Sequence, residues 1–248
     1  MDINLINKII ITKETIPKVL YLPRFVLTHM KESLLIILAY LIGSIPTALI
    51  ISKRFFDIDI RDYGSGNMGA TNTFRVLGAR YGTIVMICDI LKGMAAVALY
   101  NLLPYYLSNE LDRTNLMIGL GLAATVGHIY PIWAQFKGGK GVATLFGMIL
   151  AIQPVVAVSC VAVFIAVLYL TRYVSLSSIL AGIALPICVL WIYNEKEVFY
   201  RVFAVAIAGL IVLTHQKNIS RILKGNESRV PILRHRDKRR SRRKNSQR

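Results

Sequence analysis

The sequence predicts an all-α polytopic membrane protein with seven transmembrane helices, the amino terminus outside and the carboxyl terminus cytoplasmic. Three observations carry this. Apolar runs recur along the 248 residues, and a spanning helix needs about 20 mostly apolar residues. The runs are continuous, whereas a membrane barrel alternates polar and apolar positions. Finally, Lys and Arg gather in some connections and not in others, which orients the spans.

In chain order the runs are 34–51, 83–103, 114–134, 142–170, 174–193 and 198–214. The first connection, Ser52 to Gly82, holds Lys53, Arg54, Arg61, Arg75 and Arg80, and the loop at 136–141 holds Lys137 and Lys140. The connection Pro104 to Arg113 holds only Arg113, and everything after 214 is strongly basic. Positive connections stay cytoplasmic. The first loop, the third loop and the tail therefore share one side, which requires an odd number of crossings.

Six runs do not satisfy that parity, and the run 142–170 resolves it. At 1.5 Å per residue it would extend about 43 Å, well beyond a ~30 Å hydrocarbon core. Gln153-Pro154 lies inside it, and an internal proline removes a donor and clashes with the preceding turn. A split at 152/154 gives seven helices, the fourth of them, about 141–152, being short.

The organisation is then an amino-terminal extension (1–33), a membrane core (34–227) and a basic tail (228–248). Lys8, Lys13, Lys18, Arg24 and Lys31 are an odd load for an external segment. A translation start at Met30, or a poorly ordered extension, accounts for them. No compact apolar core with a small-residue cleavage site marks a signal peptide. Residues 229–248 hold ten Lys/Arg against one acidic residue, Asp237, within a formal net charge of +17. Such a tail suits anionic headgroups. It lacks aromatic residues for base stacking, so no nucleic acid is expected. Cys88, Cys160 and Cys188 lie in apolar runs without ligand spacing and read as structural thiols.

Three polar constellations fall on the cytoplasmic side. They are "GSGNMGATNTFR" (Gly64 to Arg75), "FKGGKGVAT" (Phe136 to Thr144), and "SLSS" (Ser175 to Ser178) together with "HQKNISRILKGNE" (His215 to Glu227). The stretch 61–75 is too glycine-rich for a good helix and too polar for lipid. Glycines allow close backbone approach, and successive free N–H groups at a helix start bind anions. Gly138, Gly139 and Gly141, flanked by Lys137 and Lys140, read as a phosphate cradle. They are not a nucleotide P-loop, because Ala134 stands where the first glycine should be. Asp89 and Lys92, three apart on one helix face, read either as an internal ion pair or as substrate contacts. His128 reads as a proton carrier or a bundle hydrogen bonder. His215 reads as a base, a phosphate-orienting group or a plain helix-end histidine.

Together these motifs resemble the bacterial acyl-phosphate:glycerol-3-phosphate acyltransferase family. The matching pieces are "GSIPTALIISK", "GSGNMGATNTFRVLG", "GHIYPIWAQFKGGKGVAT", "SLSSI" and "NISRILKGNE", covering about residues 34 to 227. The resemblance implies a seven-helix inner-membrane enzyme. It would transfer a fatty acyl group from acyl phosphate to the 1-hydroxyl of glycerol 3-phosphate, giving lysophosphatidic acid and phosphate, the first step of phospholipid synthesis. No metal and no cofactor are implied, and a soluble acyl-phosphate-forming enzyme would supply the donor. By position in the family motifs, Ser65, Arg75, His215 and Asn218 are implied as catalytic. Asn67, Asn72, Lys137, Gly138, Gly139, Lys140, Ser177 and Glu227 are implied as substrate-binding. Gln216 stands where many members carry arginine.

Phosphate is a good leaving group, so direct attack by the substrate hydroxyl is expected, with His215 or a substrate phosphate oxygen taking the proton. The H-x-x-x-x-D arrangement of another glycerolipid acyltransferase class is absent: Trp133 follows His128 by five, and Ser220 follows His215 by five. A transporter for a phosphorylated metabolite is the rival reading. It lacks a visible internal repeat, and the polar motifs gather at one face rather than at the midplane.

Overall fold

The computed structural model describes residues 24–103 and 110–230. Residues 1–23 of the extension, most of the Pro104–Arg113 connection and the tail beyond 230 lie outside the described residues. The described residues form helices only, with no strand. They are α1 (Arg24–Gly43), α2 (Thr47–Phe56), α3 (Ala70–Leu77), α4 (Ala79–Ala98) and α5 (Glu110–Ile129). After these come α6 (Val142–Ile152), α7 (Pro154–Thr171), α8 (Val174–Ile187), α9 (Val198–Thr214) and α10 (Gln216–Leu223).

By length and hydropathy, five segments suffice to cross a membrane: His29–Phe56, Ala79–Leu102, Glu110–Ala134, Pro154–Thr171 and Val174–Ile192. A sixth is counted when α9 and α10, bent by 59°, are taken together. By itself α9, with 17 residues, is at the lower limit for a crossing. The eleven residues of α6 extend about 16 Å, roughly half the hydrocarbon core. The break at Gln153 falls where expected, with Pro154 opening α7, a position at which its missing N–H costs nothing.

Three elements differ from the sequence reading. The first run is not one straight helix but breaks between Gly43 and Thr47, because Pro46 follows a short turn. Residues 24–33, grouped with the extension, continue α1. The second half of the stretch 61–75 is helical after all: once Gly69 is passed, Ala70–Leu77 contains no glycine and forms α3.

Backbones come into direct contact between α4 and α6, as they do between α1 and α5 at Gly43 and Gly127. A Cβ on Gly93 would stand 2.2 Å from the Thr144 carbonyl oxygen, and one on Gly147 would stand 2.0 Å from that of Ile90. Small residues let two membrane helices approach to backbone contact. The largest apolar cluster joins α6, α7, α8 and α9 through Leu145, Met148, Val156, Leu185, Phe203 and Ile207. Leu38, Ile165, Leu170, Val202 and Leu213 point outward, as lipid-facing side chains do.

Gly147→Leu is expected to destabilise the bundle by about 1–3 kcal/mol or more through overpacking. Gly209→Ala in α9, where a Cβ meets nothing within 4 Å, should be neutral or slightly stabilising. Thermal unfolding in detergent would separate the two.

Candidate active site

Three segments meet beyond the helix ends: 59–75, 128–141, and the start of α8 with residues 215–230. In the first, Asp59 caps a short 3-10 turn by accepting from the Arg61 amide at 3.0 Å and from its guanidinium at 2.6 and 2.9 Å. The Arg61 hydrogen bond holds the Asp59 carboxyl at about 2, against the opposing effect of partial burial. Arg61 also donates to the Ala134 carbonyl at 3.2 Å, tying this loop to the turn after α5. Asn72, 1% exposed, donates to the Ile60 and Tyr63 carbonyls at 3.2 and 3.0 Å. Its Oδ1 accepts from the Ser65 amide at 2.8 Å and from Arg75 at 3.3 Å. Asn72 therefore shapes the loop rather than offering itself to a ligand. Ser65 is exposed and Asn67 half-buried.

The glycine loop departs from the expected cradle. The Gly138 amide donates to the Ile129 carbonyl at 3.1 Å, and the Gly139 amide to that of His128 at 3.0 Å. Both N–H groups are thus spent closing the end of α5, because the chain folds straight back over that helix. Added Cβ atoms would stand 2.1 Å from the His128 carbonyl oxygen and 2.0 Å from its Nε2. Close approach, not a free amide nest, requires these glycines. The first turn of α6 follows Gly141, which has no side chain to cap it, so anion affinity shifts to that helix start.

Lys140 carries the loop into the third segment, where its ammonium donates to Asn218 Oδ1. Asn218 Nδ2 donates to Glu227 Oε1 at 2.7 Å, and Ser175 Oγ donates to the same oxygen at 2.9 Å. Arg221 Nε donates to Glu227 Oε2 at 2.7 Å. Burial raises the Glu227 pKa, but these three donors, led by Arg221, outweigh it and leave the carboxyl below its ordinary value. Lys140 is pushed down to about 8, chiefly by burial; Glu227 opposes the shift, and Arg221 and Arg75 add to it. Arg75 reaches Ser228 Oγ with its other terminal nitrogen.

His215, 2% exposed, stands at the bend between α9 and α10. Its Nδ1 lies 2.8 Å from the Ile211 carbonyl. A carbonyl only accepts, so Nδ1 carries the proton and Nε2 keeps a lone pair. Burial, then the Lys140 charge, push its pKa down to about 4, so the ring is neutral near pH 7.

The structure thus brings together Arg75, Lys140, His215, Asn218 and Glu227, with Asn72 beneath Ser65. Two expected residues stand apart. Lys137 is exposed and contacts no other candidate, and the Ser177 hydroxyl is turned onto its own helix, donating to the Tyr173 carbonyl at 2.8 Å. Ser175 and Arg221 fell inside the third constellation without an assigned role, and Ser228 fell outside it. Arg221 lies three residues after Asn218, one helical turn on, and that spacing was a usable signal; Ser228 offered none. Three cations and one carboxylate make a net positive, hydrogen-bonding cluster suited to phosphate. Among the described residues, no group of three or more His, Cys, Asp or Glu is placed to hold a metal ion.

The chain is similar to known proteins over most of its length. A sequence model of the family described as glycerol-3-phosphate acyltransferase matches residues 33–225. The chain is 48% identical to glycerol-3-phosphate acyltransferase 2 of Bacillus anthracis over 197 residues, covering 79% of this chain and 98% of that relative. It is 44% identical to a glycerol-3-phosphate acyltransferase of Bacillus velezensis over 198 residues, covering 80% of this chain and 97% of the other. Among solved structures, it resembles the glycerol 3-phosphate form of PlsY (YgiH), an integral membrane glycerol 3-phosphate acyltransferase. The TM-score there is 0.72 at 39% identity, over 80% of this chain and 95% of that one. A lysophosphatidic acid form of the same enzyme gives a TM-score of 0.69 at 38% identity, over 80% and 94% of the respective chains.

Because Glu227 holds the Lys140 pKa up, Glu227→Gln should lower it further below about 8. The pH dependence of Lys140 acetylation, read by peptide mass spectrometry, would check the direction.

Proposed function

Since the chain belongs to the glycerol-3-phosphate acyltransferase family, we propose that it transfers a fatty acyl group from acyl phosphate to the 1-hydroxyl of glycerol 3-phosphate. The observation that carries this is the Arg75–Lys140–Arg221 cluster, anchored by Glu227, at the end of a lipid-facing bundle. Both substrates bring a phosphate, and one also brings a chain that stays in the bilayer. An open apolar groove of about 410 Å³ beside this face, lined by Ile45, Pro46, Leu49, Ile50, Lys53 and Trp133, suits that chain.

In this reading the substrate hydroxyl attacks the acyl carbonyl, the new ester bond forms, and the bond to phosphate breaks. The departing phosphate takes the electron pair. Lys140, Arg75 and Arg221 hold the phosphates, while the amides of the first turn of α6 meet developing negative charge. Ser65 and Asn67 line the rim as polar contacts. Asn218 and Glu227 keep Lys140 aimed. His215 Nε2 accepts the proton of the hydroxyl. A bound phosphate neutralises the Lys140 charge that depresses His215, so the ring becomes a stronger base when substrate arrives.

The same reading places the enzyme in the bacterial inner membrane, with seven membrane helices, the short α6 among them, and the amino terminus outside, as the Lys and Arg distribution supports. A soluble acyl-phosphate-forming enzyme supplies the donor.

Purified protein in lipid, given palmitoyl phosphate and labelled glycerol 3-phosphate, tests the reaction. Labelled lysophosphatidic acid is the expected product; its formation from an acyl thioester but not from palmitoyl phosphate would overturn the donor. The free-enzyme kcat/KM should fall as pH rises through about 8, where Lys140 loses its proton, and Lys140→Met should abolish that limb. His215→Asn should lower kcat by about 100-fold or more, as loss of a general base does. A loss under about threefold would assign the proton to a substrate phosphate oxygen instead.

A further inference from the structure

Beneath the glycine loop lies a buried polar set that the acyl transfer does not use directly. Asp89 and Lys92 on α4 are 2% and 7% exposed, and their charges stand 2.9 Å apart. Lys92 also donates to the Ile45 carbonyl, in the break between α1 and α2, at 3.3 Å, and Thr47 Oγ1 stands 3.5 Å from Asp89 Oδ1. An ion pair this buried is costly to withdraw from water and fixes the groups packed against it.

What it holds is His128, 6% exposed. Its Nδ1 lies 3.6 Å from Asp89 Oδ1, outside hydrogen-bond reach, and has no other partner among the described residues. The opposite nitrogen, Nε2, occupies the space a Gly139 side chain would take, 2.0 Å from the position of that Cβ. The His128 carbonyl accepts the Gly139 amide at 3.0 Å. The ring is therefore a spacer: Asp89 stands behind it, and the backbone that leads into Lys140 rests on it.

We propose that His128, backed by the Asp89–Lys92 pair, is the positioning residue for the Gly138–Lys140 loop and so sets where the Lys140 ammonium stands. His128 is not catalytic, because its free edge abuts the loop backbone. The network links the α1–α2 break, α4 and α5 to the loop, so a shift in the break reaches the phosphate site through side chains of fixed length. The functional consequence rests on Lys140 binding phosphate as proposed above, but the placement of the loop does not.

The test is therefore chemical as well as kinetic. Full-length protein in lipid is treated briefly with acetic anhydride at pH 8, and acetylation is read residue by residue. Exposed Lys137 serves as the internal control and buried Lys92 as the reporter of general unfolding. In His128→Ala, Lys140 acetylation relative to Lys137 should rise at least about threefold while Lys92 stays protected, as a local loosening requires. Gly139→Ala should lower kcat/KM by about 100-fold, because displacement of a binding group by about 1 Å is enough for that. The double variant His128→Ala/Gly139→Ala removes the clash and should return to the level of His128→Ala. Unchanged Lys140 acetylation, a parallel rise at Lys92, or a double variant no better than Gly139→Ala would each overturn the proposal. If wild-type protein forms no product, the reaction falls, while the acetylation pattern still decides the role of His128.

Discussion

Glu227 is a carboxylate only 9% exposed, and a carboxylate withdrawn from water must be met by donors. Ser175 at the start of α8 supplies one, and Asn218 and Arg221 of α10 supply the others. That demand fixes where α10 lies after the bend at His215. Asn218, so fixed, presents its oxygen to Lys140 and thereby orders the glycine loop from the other side. The chain just beyond continues the same clasp. Arg229 donates to the Tyr173 hydroxyl at 2.9 Å and lies over that ring, and the Val230 amide donates to the Arg172 carbonyl at 2.9 Å. Ser228 meets Arg75, so one short segment joins the first and third constellations.

The site is thus braced twice, from Glu227 above and from the His128–Asp89–Lys92 set within the bundle. The two braces differ in kind. Glu227 sits at the helix ends among donors that lower its pKa, and its charge also tunes Lys140. Asp89 and Lys92 satisfy one another in the bundle and act through packing. Between them lies the cluster that carries positive charge, with apolar helix faces on its flank. A phosphorylated head and a lipid chain need this division of surroundings.

Five of the seven expected spans were legible in the sequence because hydropathy over 20 residues is a coarse, additive signal, whereas α6 is too short and α9 counts only together with α10. The break at Gln153 was legible too, because run length and proline agreed. The break between Gly43 and Thr47 was missed although Ser44 and Pro46 mark it, because the run 34–51 is about the length of one crossing and raised no length conflict. Helix α3 was obscured by the glycines just before it, which dominate the composition of the window but stop at Gly69. In the site, charge and motif order pointed to three constellations that meet in the fold, and Arg75, Lys140, His215, Asn218 and Glu227 lie among them. What composition cannot express is which partner consumes each hydrogen bond. Asn72 is spent on its own loop, the Gly138 and Gly139 amides on the end of α5, and the Ser177 hydroxyl on α8. Arg221 was passed over because it is one arginine among many in a basic segment, and only its spacing of three from Asn218 sets it apart.

The measurement that bears most directly on the phosphate pocket is calorimetric binding of glycerol 3-phosphate to wild type and to Arg221→Met at fixed, low salt. Arg221 is one of three cations around the proposed phosphate position, and its loss should weaken binding by about tenfold or more, the value of roughly one charge-assisted hydrogen bond. Equal affinity in the two proteins, with the variant folded as judged by its unfolding temperature, would contradict the assignment of that cluster as the phosphate site.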